Sequence, residues 1–304
     1  VHFDATFRDT HLEMSDIGYF APTMLSMQDL VNIDGRFRGT VTSINGKDFE
    51  VQYGEHTHFE GSVRMNGLPD ITETFIHADI RRLTTTASDI RSFKLPGDAG
   101  AIPLPEILAK MGKINVEGKF TGFYNDFVSR AEFSSSLGRL NTNIVMKTLD
   151  SGETLAYDGK LKARNIDLGR LFDSETLGKT SFILDVDGQG IEPGKLNILA
   201  QGSVRSLGFK GYDYENITVD GHLTGQVFEG SMSISDENLD FSFDGLVDFN
   251  QEKPRFNFQA AIDHADLFAL RLSRRDSVSV LSSNLDIDFT ASSIDNIQGV
   301  VRFD

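Results

Sequence analysis

Apolar residues occupy every second position of the stretch 217–249, which reads ITVDGHLTGQVFEGSMSISDENLDFSFDGLVDF. Val219 and Leu223 fall on one side of an extended chain, and Asp220 and His222 fall on the other. A period of two sustained in this way is typical of a β-strand with one buried face. The same alternation returns from one end of the chain to the other, with Asn, Asp and Gly between the runs, and predicts about twenty amphipathic strands.

The composition narrows the class of protein. The 304 residues include no cysteine, which excludes a disulfide framework and thiol chemistry and fits a cytosolic or a bacterial periplasmic protein. The formal net charge is -16, and Lys and Arg are not clustered, which argues against nucleic-acid binding because phosphate contacts need concentrated basic residues. The 24 Phe and the absence of Trp indicate purely apolar packing rather than anchoring at a membrane interface.

Both ends of the sequence fall within strand-like runs, VHF at the beginning and VVRF near the end. No run reaches the ~20 apolar residues of a membrane-spanning helix, and no signal peptide opens the chain. We therefore expect an interior fragment of a longer protein whose targeting sequence lies elsewhere. Residues 1–304 are predicted to form one continuous repetitive β region with approximate modules 1–95, 96–172 and 173–304.

Only short helices are predicted. The best candidate spans residues 105–111, with Pro at its start and Gly112 at its end. The pattern Asp-(Ile/Leu)-x-x-(Phe/Leu) also recurs at irregular intervals, and each aspartate is predicted to cap a single helical turn that packs onto the sheet. The four copies begin at Asp16, Asp89, Asp167 and Asp266.

A second repeat has five residues in the order apolar, acidic, Gly, variable, apolar. Asp-Gly usually marks a two-residue hairpin turn, but a turn would put the two apolar residues on opposite faces. We therefore predict that the strand continues through each glycine, whose missing side chain makes room for a close neighbour. Hairpin turns are predicted instead at Asn45-Gly46 and Asn66-Gly67. The five copies of the repeat are 33–37, 116–120, 157–161, 219–223 and 243–247.

Signals for catalysis and for cofactor or metal binding are weak. The chain has no Gly-x-Ser-x-Gly motif and no complete nucleotide-binding fingerprint. His56, His58 and Glu60 have a spacing that some metal sites use, but the alternate positions of that strand are apolar, and a solvated polar face is the favoured interpretation. We expect no enzyme activity, no catalytic residue and no cofactor.

The repeated apolar face must be buried, and so few short helices cannot cover it. A closed sandwich, a closed barrel, a stacked β-helix or a folded sheet with a ligand in its apolar interior would each satisfy this requirement. An outer-membrane barrel would carry girdles of Tyr and Trp, whereas this chain has 6 Tyr and no Trp. A carbohydrate-binding sandwich would show aromatic platforms on the polar faces, which instead carry Asp, Ser, Thr, Lys and Arg. Periodicity alone does not distinguish an interior filled by the chain's own side chains from an open groove.

Several segments resemble the TamB family. Residues 214–245 contain Tyr-x-Asn-Ile-x-Val-Asp-Gly-x-Leu-x-Gly, then Phe-x-Gly, then Asp-x-Asn-Leu-x-Phe-x-Phe-x-Gly. Residues 163–171 (ARNIDLGRL) are similar to a turn shared by TamB and the wider AsmA-like group, and 264–270 (HADLFAL) looks like a second copy. The resemblance spans most of the chain and is clearest over about 150–275.

The resemblance implies an elongated, repetitive amphipathic sheet curled into a taco-like groove with an apolar interior. It implies a periplasmic protein, anchored in the inner membrane by a segment outside this chain, that carries phospholipid acyl chains between the inner and outer membranes without enzymatic activity. An outer-membrane barrel protein of the assembly-module type would be its partner. The alternative is a structural or chaperone scaffold for outer-membrane protein assembly, whose groove or open edge receives strands of client proteins.

Apolar residues of the alternating runs are the candidate lining of such a groove. Burial of apolar area, worth ~25 cal/mol per Å², would hold acyl chains there while head groups stay hydrated at the open edge. The predicted lining residues are Phe37, Val41, Phe120, Ile144, Val219, Leu223, Phe241, Phe243 and Val247.

Overall fold

The structure, a computed structural model, describes residues 2–19, 29–94, 107–149, 154–190, 196–250, 253–272, 279–290 and 298–303, with the single residues 22, 25, 27 and 104. It confirms the predicted fold class, because the chain is all-β, its strands are repetitive and amphipathic, and its helices are few and short. The chain divides into two compact units, 1–147 and 148–304. The three approximate modules predicted from the sequence stay a prediction.

The first unit is an antiparallel meander in which each strand pairs with its neighbours along the chain. Its strands are β1 (Phe3–Glu13), β2 (Leu30–Thr40), β3 (Ser43–Tyr53), β4 (Thr57–Asn66), β5 (Phe75–Thr86), β6 (Lys113–Phe123), β7 (Asp126–Ser135) and β8 (Gly138–Leu149). Two α-helices, α1 (Ala87–Ser92) and α2 (Ile107–Lys110), lie between β5 and β6, and 3₁₀ helices span Met14–Tyr19 and Ile71–Glu73.

The second unit repeats this arrangement, again with antiparallel pairing between successive strands. A single short helix, α3 (Leu168–Phe172), follows its first strand in the part of the chain that the structure describes. Its strands are β9 (Thr154–Asp167), β10 (Leu177–Gln189), β11 (Asn197–Phe209), β12 (Tyr212–Thr224), β13 (Val227–Asp236), β14 (Leu239–Asp248), β15 (Arg255–Asp266), β16 (Val280–Thr290) and β17 (Gln298–Phe303).

The strands do continue through all five glycines of the acidic-Gly repeat, which lie inside β2, β6, β9, β12 and β14. The expected close neighbours are also present. A Cβ at Gly35 would lie 2.5 Å from the Cβ of Phe49 on β3, and one at Gly245 would lie 2.6 Å from the Cβ of Phe258 on β15. Gly35 and Gly245 therefore each admit an aromatic residue of the next strand, and Gly118 admits Ala131 of β7, in agreement with the predicted close neighbours.

The two predicted hairpin turns are wrong. Asn45-Gly46 lies within β3, and the turn from β2 falls earlier, at residues 41–42. Gly46 stays in the strand because the ring of Phe37 occupies the space beside it: a Cβ on Gly46 would lie 2.6 Å from Cε1 of Phe37. Asn66 ends β4, but the chain then continues through the 3₁₀ helix before β5 begins at Phe75, so no tight hairpin forms there.

The aspartate repeat is confirmed as a cap in two copies. The side chain of Asp167 accepts a hydrogen bond from the backbone N–H of Arg170 at 3.0 Å, and Asp266 accepts from the N–H groups of Phe268 and Ala269. Asp16 and Asp89 instead lie inside their helices. The cap of α1 is Thr86, whose hydroxyl accepts from the N–H of Asp89 at 3.3 Å, because Asp89 faces the sheet.

The helix predicted over 105–111 appears as α2, which has four residues. Residues 105 and 106 lie outside the described part of the chain. Met111 closes the turn through a hydrogen bond from its N–H to the carbonyl oxygen of Leu108, at 3.2 Å, and Gly112 follows with a φ of +66°. The predicted end of this helix at Gly112 is therefore confirmed.

Candidate functional site

Apolar side chains in the second unit form rows that cross the strands on one face of the sheet. Val219 of β12 and Phe243 of β14 both pair with Met232 of β13, so the three lie in one row. Residues at every second position along each strand add parallel rows to the same face. The predicted lining residues that the structure brings together on this face are Val219, Leu223, Phe241, Phe243 and Val247.

The first unit has an equivalent apolar face. Three predicted lining residues from distant parts of the sequence share a single row that crosses β2 to β8. Val41 does not belong to this row. The turn between β2 and β3 falls at residues 41–42 instead of the predicted Asn45-Gly46, so Val41 lies in the turn, where it is half-buried. The paired residues along the row are Phe37, Gly46, Val63, Ala78, Phe120, Ser129 and Ile144.

Large and small residues alternate along the row of the first unit, so that each large side chain lies between small residues of the neighbouring strands. Four Phe rings contact one another in series across β1 to β4, with centroid distances of 5.8, 4.7 and 5.1 Å. A similar series in the second unit joins Phe228, Phe243 and Phe258 at 6.0 and 4.8 Å. Beside it lie the paired residues Gly221, Gly230 and Gly245, and the ring of Phe228 occupies the space over Gly221.

Residues of β13 and β15 also belong to the apolar face of the second unit, although the sequence analysis did not select them. Phe228 and Met232 lie on it, as do Phe256 and Phe258. The signal that would have found them is the same alternation, which runs through VFEGSMSI and RFNFQAAI in phase with β12 and β14.

The two ends of each sheet differ in how completely the apolar face is covered. In an antiparallel meander, all connections from an odd to an even strand lie at one end, which we call the covered end. The largest fully buried apolar side chains, Met27, Leu137 and Leu270, all belong to such connections and are 0%, 1% and 1% exposed. All four copies of the aspartate repeat lie at this end as well. Local helical turns and loops therefore close the face here.

At the opposite end, which we call the open end, the face stays half-buried. Two-residue turns do not distinguish the ends, since they lie at 41–42, 124–125 and 225–226 here and at 136–137, 210–211 and 237–238 at the covered end. The row nearest this end in the second unit has no fully buried member among its large residues, namely Ile198, Leu223, Phe228, Val247, Phe256 and Phe289. In the first unit the same holds for Ile44, Met65, Ile76, Phe127 and Met146. Apart from the 3₁₀ helix Ile71–Glu73 and the buried Thr74 in the β4–β5 connection, the described residues place no second layer over the open end.

A buried polar cluster secures α1 at the covered end of the first unit. The carboxylate of Asp89, which is 6% exposed, accepts hydrogen bonds from the backbone N–H of His56 at 2.9 Å and from the Thr57 hydroxyl at 2.8 Å. Burial opposes the ionisation of Asp89, but the hydrogen bonds from Thr57 and His56 outweigh it and lower its pKa. Gly54 makes this approach possible, since a Cβ there would lie 2.9 Å from Cγ of Asp89.

The hydroxyl of Tyr53 extends this cluster. It lies 3.0 Å from Oγ of Ser92 on α1 and donates to the carboxylate of Asp29 at 3.2 Å. Burial is the main cause that raises the pKa of Tyr53 above its ordinary value. These contacts tie α1 to both β3 and the segment before β2.

The opposite, polar face carries exposed ion pairs. Lys160 lies 3.2 Å from Asp185 and Arg302 lies 2.8 Å from Asp286, with all four side chains about half exposed or more. Pairs of this kind add little stability in water. These aspartates therefore belong to a solvated surface.

The motif His56-x-His58-x-Glu60 does not form a metal site in this structure. His56 precedes β4, and Glu60 lies 3.7 Å from Arg81 and from Arg82. Among the described residues, no group of three or more His, Cys, Asp or Glu side chains could hold a metal ion.

A shallow cavity of about 890 Å³ follows the middle of β11 to β16. The row of Val219 and Phe243 lines it together with the polar rows on either side, which include Asp220 and Ser242. The next rows of the apolar face, those of Gly245 and Phe241, do not contribute. The cavity is therefore lined by one apolar row and by the two polar rows next to it.

Comparison of the chain with known protein families, with curated proteins and with solved structures finds no match. In the part of the chain that the structure describes, no helix is long and apolar enough to cross a membrane. The candidate site consequently stands on its geometry, as one apolar face in each unit that is closed at the covered end and exposed toward the open end.

Proposed function

We propose that this chain is part of a non-enzymatic conduit that carries phospholipid acyl chains on the apolar faces of its sheets. The observation that carries the proposal is the half-buried row at each open end, where five or six large apolar side chains lie side by side without a covering layer. An acyl chain laid on this face would lose contact with water, which is worth about 0.8 kcal/mol for each buried CH₂.

The character of the face suits a sliding ligand. Phe rings and aliphatic side chains make up most of it, so contacts with a hydrocarbon chain are non-directional. From Ile198 to Phe289 the open row carries no charged or hydrogen-bonding side chain that would hold a head group in one place, and the hydroxyl of Tyr157, in the same row on β9, donates to the carbonyl oxygen of Gly190. Such a surface binds hydrocarbon while allowing it to move from strand to strand.

The resemblance to the TamB family supports the setting of this activity. On that basis we propose a location in the periplasm, as part of a protein anchored in the inner membrane, and transport toward the outer membrane with an outer-membrane barrel partner. The absence of cysteine is compatible with this setting.

Charging the open row is expected to abolish lipid binding without changing the fold. We expect the double variant Leu223→Glu/Val247→Glu to lose most of the phospholipid that copurifies with the chain, because carboxylates resist transfer into hydrocarbon. Both side chains lie close to the open end, where a longer side chain can reach water. Lipid would be measured by mass spectrometry of an organic extract, and strand content by far-UV circular dichroism.

The matched control is Leu246→Glu. Leu246 is also half-buried and lies next to Val247 in β14, but it points to the polar face. The control should keep its lipid. Equal lipid in the double variant and the control would contradict the proposal, and client peptides in place of lipid in the wild-type preparation would favour the scaffold function instead.

A further inference from the structure

We infer that the hairpin of β6 and β7 in the first unit docks on a phospholipid bilayer by inserting its open-end tip, residues 123–128, into the interfacial layer. This contact goes beyond the proposed function, which concerns acyl chains carried on the apolar face. Three features of the described residues support it: apolar side chains on both faces of the tip, the placement of the charges around it, and the contrast with other open-end turns.

Apolar side chains lie on both faces of the tip. Phe127 belongs to the half-buried open row of the apolar face, whereas Phe123 and Val128 point to the polar face. Tyr124 lies in the turn, and Phe123 and Tyr124 are 37% and 53% exposed. The surface of another protein would cover one face of such a sheet, whereas the interfacial layer of a bilayer surrounds the tip on all sides.

The exposed apolar surface of the tip extends to the neighbouring strands. On the polar face, Val145 of β8 is paired with Val128 and is exposed as well. Phe75, at the start of β5, is also exposed and packs edge-on against Phe123, with 5.5 Å between the ring centroids. Several exposed apolar side chains therefore lie side by side, and Tyr124 at their rim is of a residue type that is enriched at membrane–water interfaces.

Basic groups on the polar face lie at the depth of the lipid phosphates. Arg64 of β4 is exposed and lies one row behind the row of Phe123, a distance of ~7 Å for two residues at about 3.4 Å each. One row farther back lie Arg130 and the ion pair of Lys119 with Asp79, 3.8 Å apart. The head-group layer is about 5–8 Å deep on each side of the hydrocarbon core, so a tip in the interface brings Arg64 level with phosphate.

The carboxylates nearest the tip limit how deeply it inserts. Asp126 is exposed within the tip and lies opposite Lys147 across β7 and β8, so a basic group accompanies it into the head-group layer. Asp70 and Glu73 are exposed in the β4–β5 connection, where Asp70 caps the 3₁₀ helix. Because carboxylates resist transfer into hydrocarbon, the contact is interfacial and is centred on β6 and β7 rather than on β4.

Other turns at the open ends lack such a tip. The turn at 41–42 contains one half-buried Val and is flanked by Thr and Ser, and the turn at 225–226 has the sequence Gly-Gln. Phe249 is exposed at the open end of the second unit, but an Asp and an Asn flank it. The apolar tip is therefore a property of one hairpin and not of open ends in general.

Cosedimentation of the full chain with sucrose-loaded phosphatidylcholine vesicles tests the inference. Phe123→Ser/Tyr124→Ser is expected to weaken vesicle binding by roughly tenfold or more, because two aromatic side chains no longer leave water on binding. The matched control is Phe172→Ser/Phe268→Ser, which removes two aromatic side chains that are 54% and 48% exposed but lie at the covered end of the second unit. The control should bind vesicles as the wild type does.

A single fluorophore provides a second measurement, because the chain has no Trp. With vesicles, the emission of Tyr124→Trp should shift to shorter wavelength and be quenched by phosphatidylcholine brominated near the carbonyl group, whereas Phe172→Trp should show neither effect. An unshifted Tyr124→Trp, a wild-type chain that does not sediment with vesicles, or equal binding by the two Ser variants would each overturn the inference. Lipid that copurifies with the chain reports on the apolar face instead, so its absence would remove the proposed function and leave this contact in place.

Discussion

Substituting alanine for Gly118 is expected to lower the free energy of unfolding by about 3 kcal/mol, because two costs of about 1–3 kcal/mol combine there. Gly118 has a φ of +154°, a conformation that residues with a Cβ rarely adopt. Its added Cβ would also lie 2.6 Å from Cα of Ala131 and would clash with the carbonyl oxygen of Arg130 on β7. Chemical denaturation of the full chain, followed by far-UV circular dichroism, measures the loss.

Gly112→Ala is the matched control for this substitution. Gly112 also has a positive φ, +66°, but the nearest atom to an added Cβ is Oγ of Ser136 at 3.9 Å. Its cost should be about 1 kcal/mol, which is the conformational strain alone. An equal loss in both variants would show that the close strand-to-strand contact at Gly118 contributes nothing.

Replacing Asp89 by alanine is expected to have a similarly large effect, roughly 3 kcal/mol, because it removes two hydrogen bonds to a buried carboxylate and leaves their donors unpaired. The N–H of His56 and the hydroxyl of Thr57 are those donors. Loss of the contact should release α1 first, so hydrogen exchange should accelerate over Ala87–Ser92 while β7 and β8 stay protected. Uniform exchange across the first unit would contradict a local role.

The same carboxylate gives stability a defined pH dependence. The pKa of Asp89 is lowered in the folded protein, so its contribution is complete above its unfolded value of about 3.9 and is lost as the pH falls through the folded value. Stability of the wild-type first unit should therefore fall more steeply below about pH 4 than stability of Asp89→Asn, which has no such carboxyl group. Parallel denaturation curves at several acidic pH values would show the difference, and identical pH profiles would contradict it.

The elements that the sequence predicts correctly are those that depend on the alternation of apolar and polar residues along a single strand. Alternation identified the strands because a side-chain period of two leaves one face apolar, and the positions of Ile33 and Phe37 on either side of Gly35 were sufficient to exclude a turn there. The same phase placed Val219, Leu223, Phe241, Phe243 and Val247 on one face.

The elements that the sequence predicts wrongly depend on contacts between strands. Asn45-Gly46 has the local signature of a hairpin turn, but Gly46 is required beside the ring of Phe37. Asp89 has the signature of a helix cap, but its carboxylate is used by the turn between β3 and β4, and Thr86 caps the helix instead. Local propensity is overridden in both cases by a partner that is distant in sequence, which a single sequence does not reveal.

The covered end could not be predicted for a related reason. Its buried residues, such as Leu137 and Leu270, lie in connections that carry no long apolar pattern. Their importance follows from the alternation of strand direction, which brings every second connection of a unit to the same end. That arrangement becomes visible only when the pairing of all strands in a unit is known.

Strict pairing between successive strands also affects how such a chain can change in length. Removing or adding one strand would reverse the direction of every later strand. The later connections would then change places between the covered end and the open end. Removing or adding a hairpin preserves both the direction and the apolar face, and changes the width of the sheet by about 10 Å, twice the spacing between strands. Gain or loss of whole hairpins is therefore the smallest change in length that keeps every copy of the aspartate repeat at the covered end, and a family built on this plan would vary in length by steps of two strands.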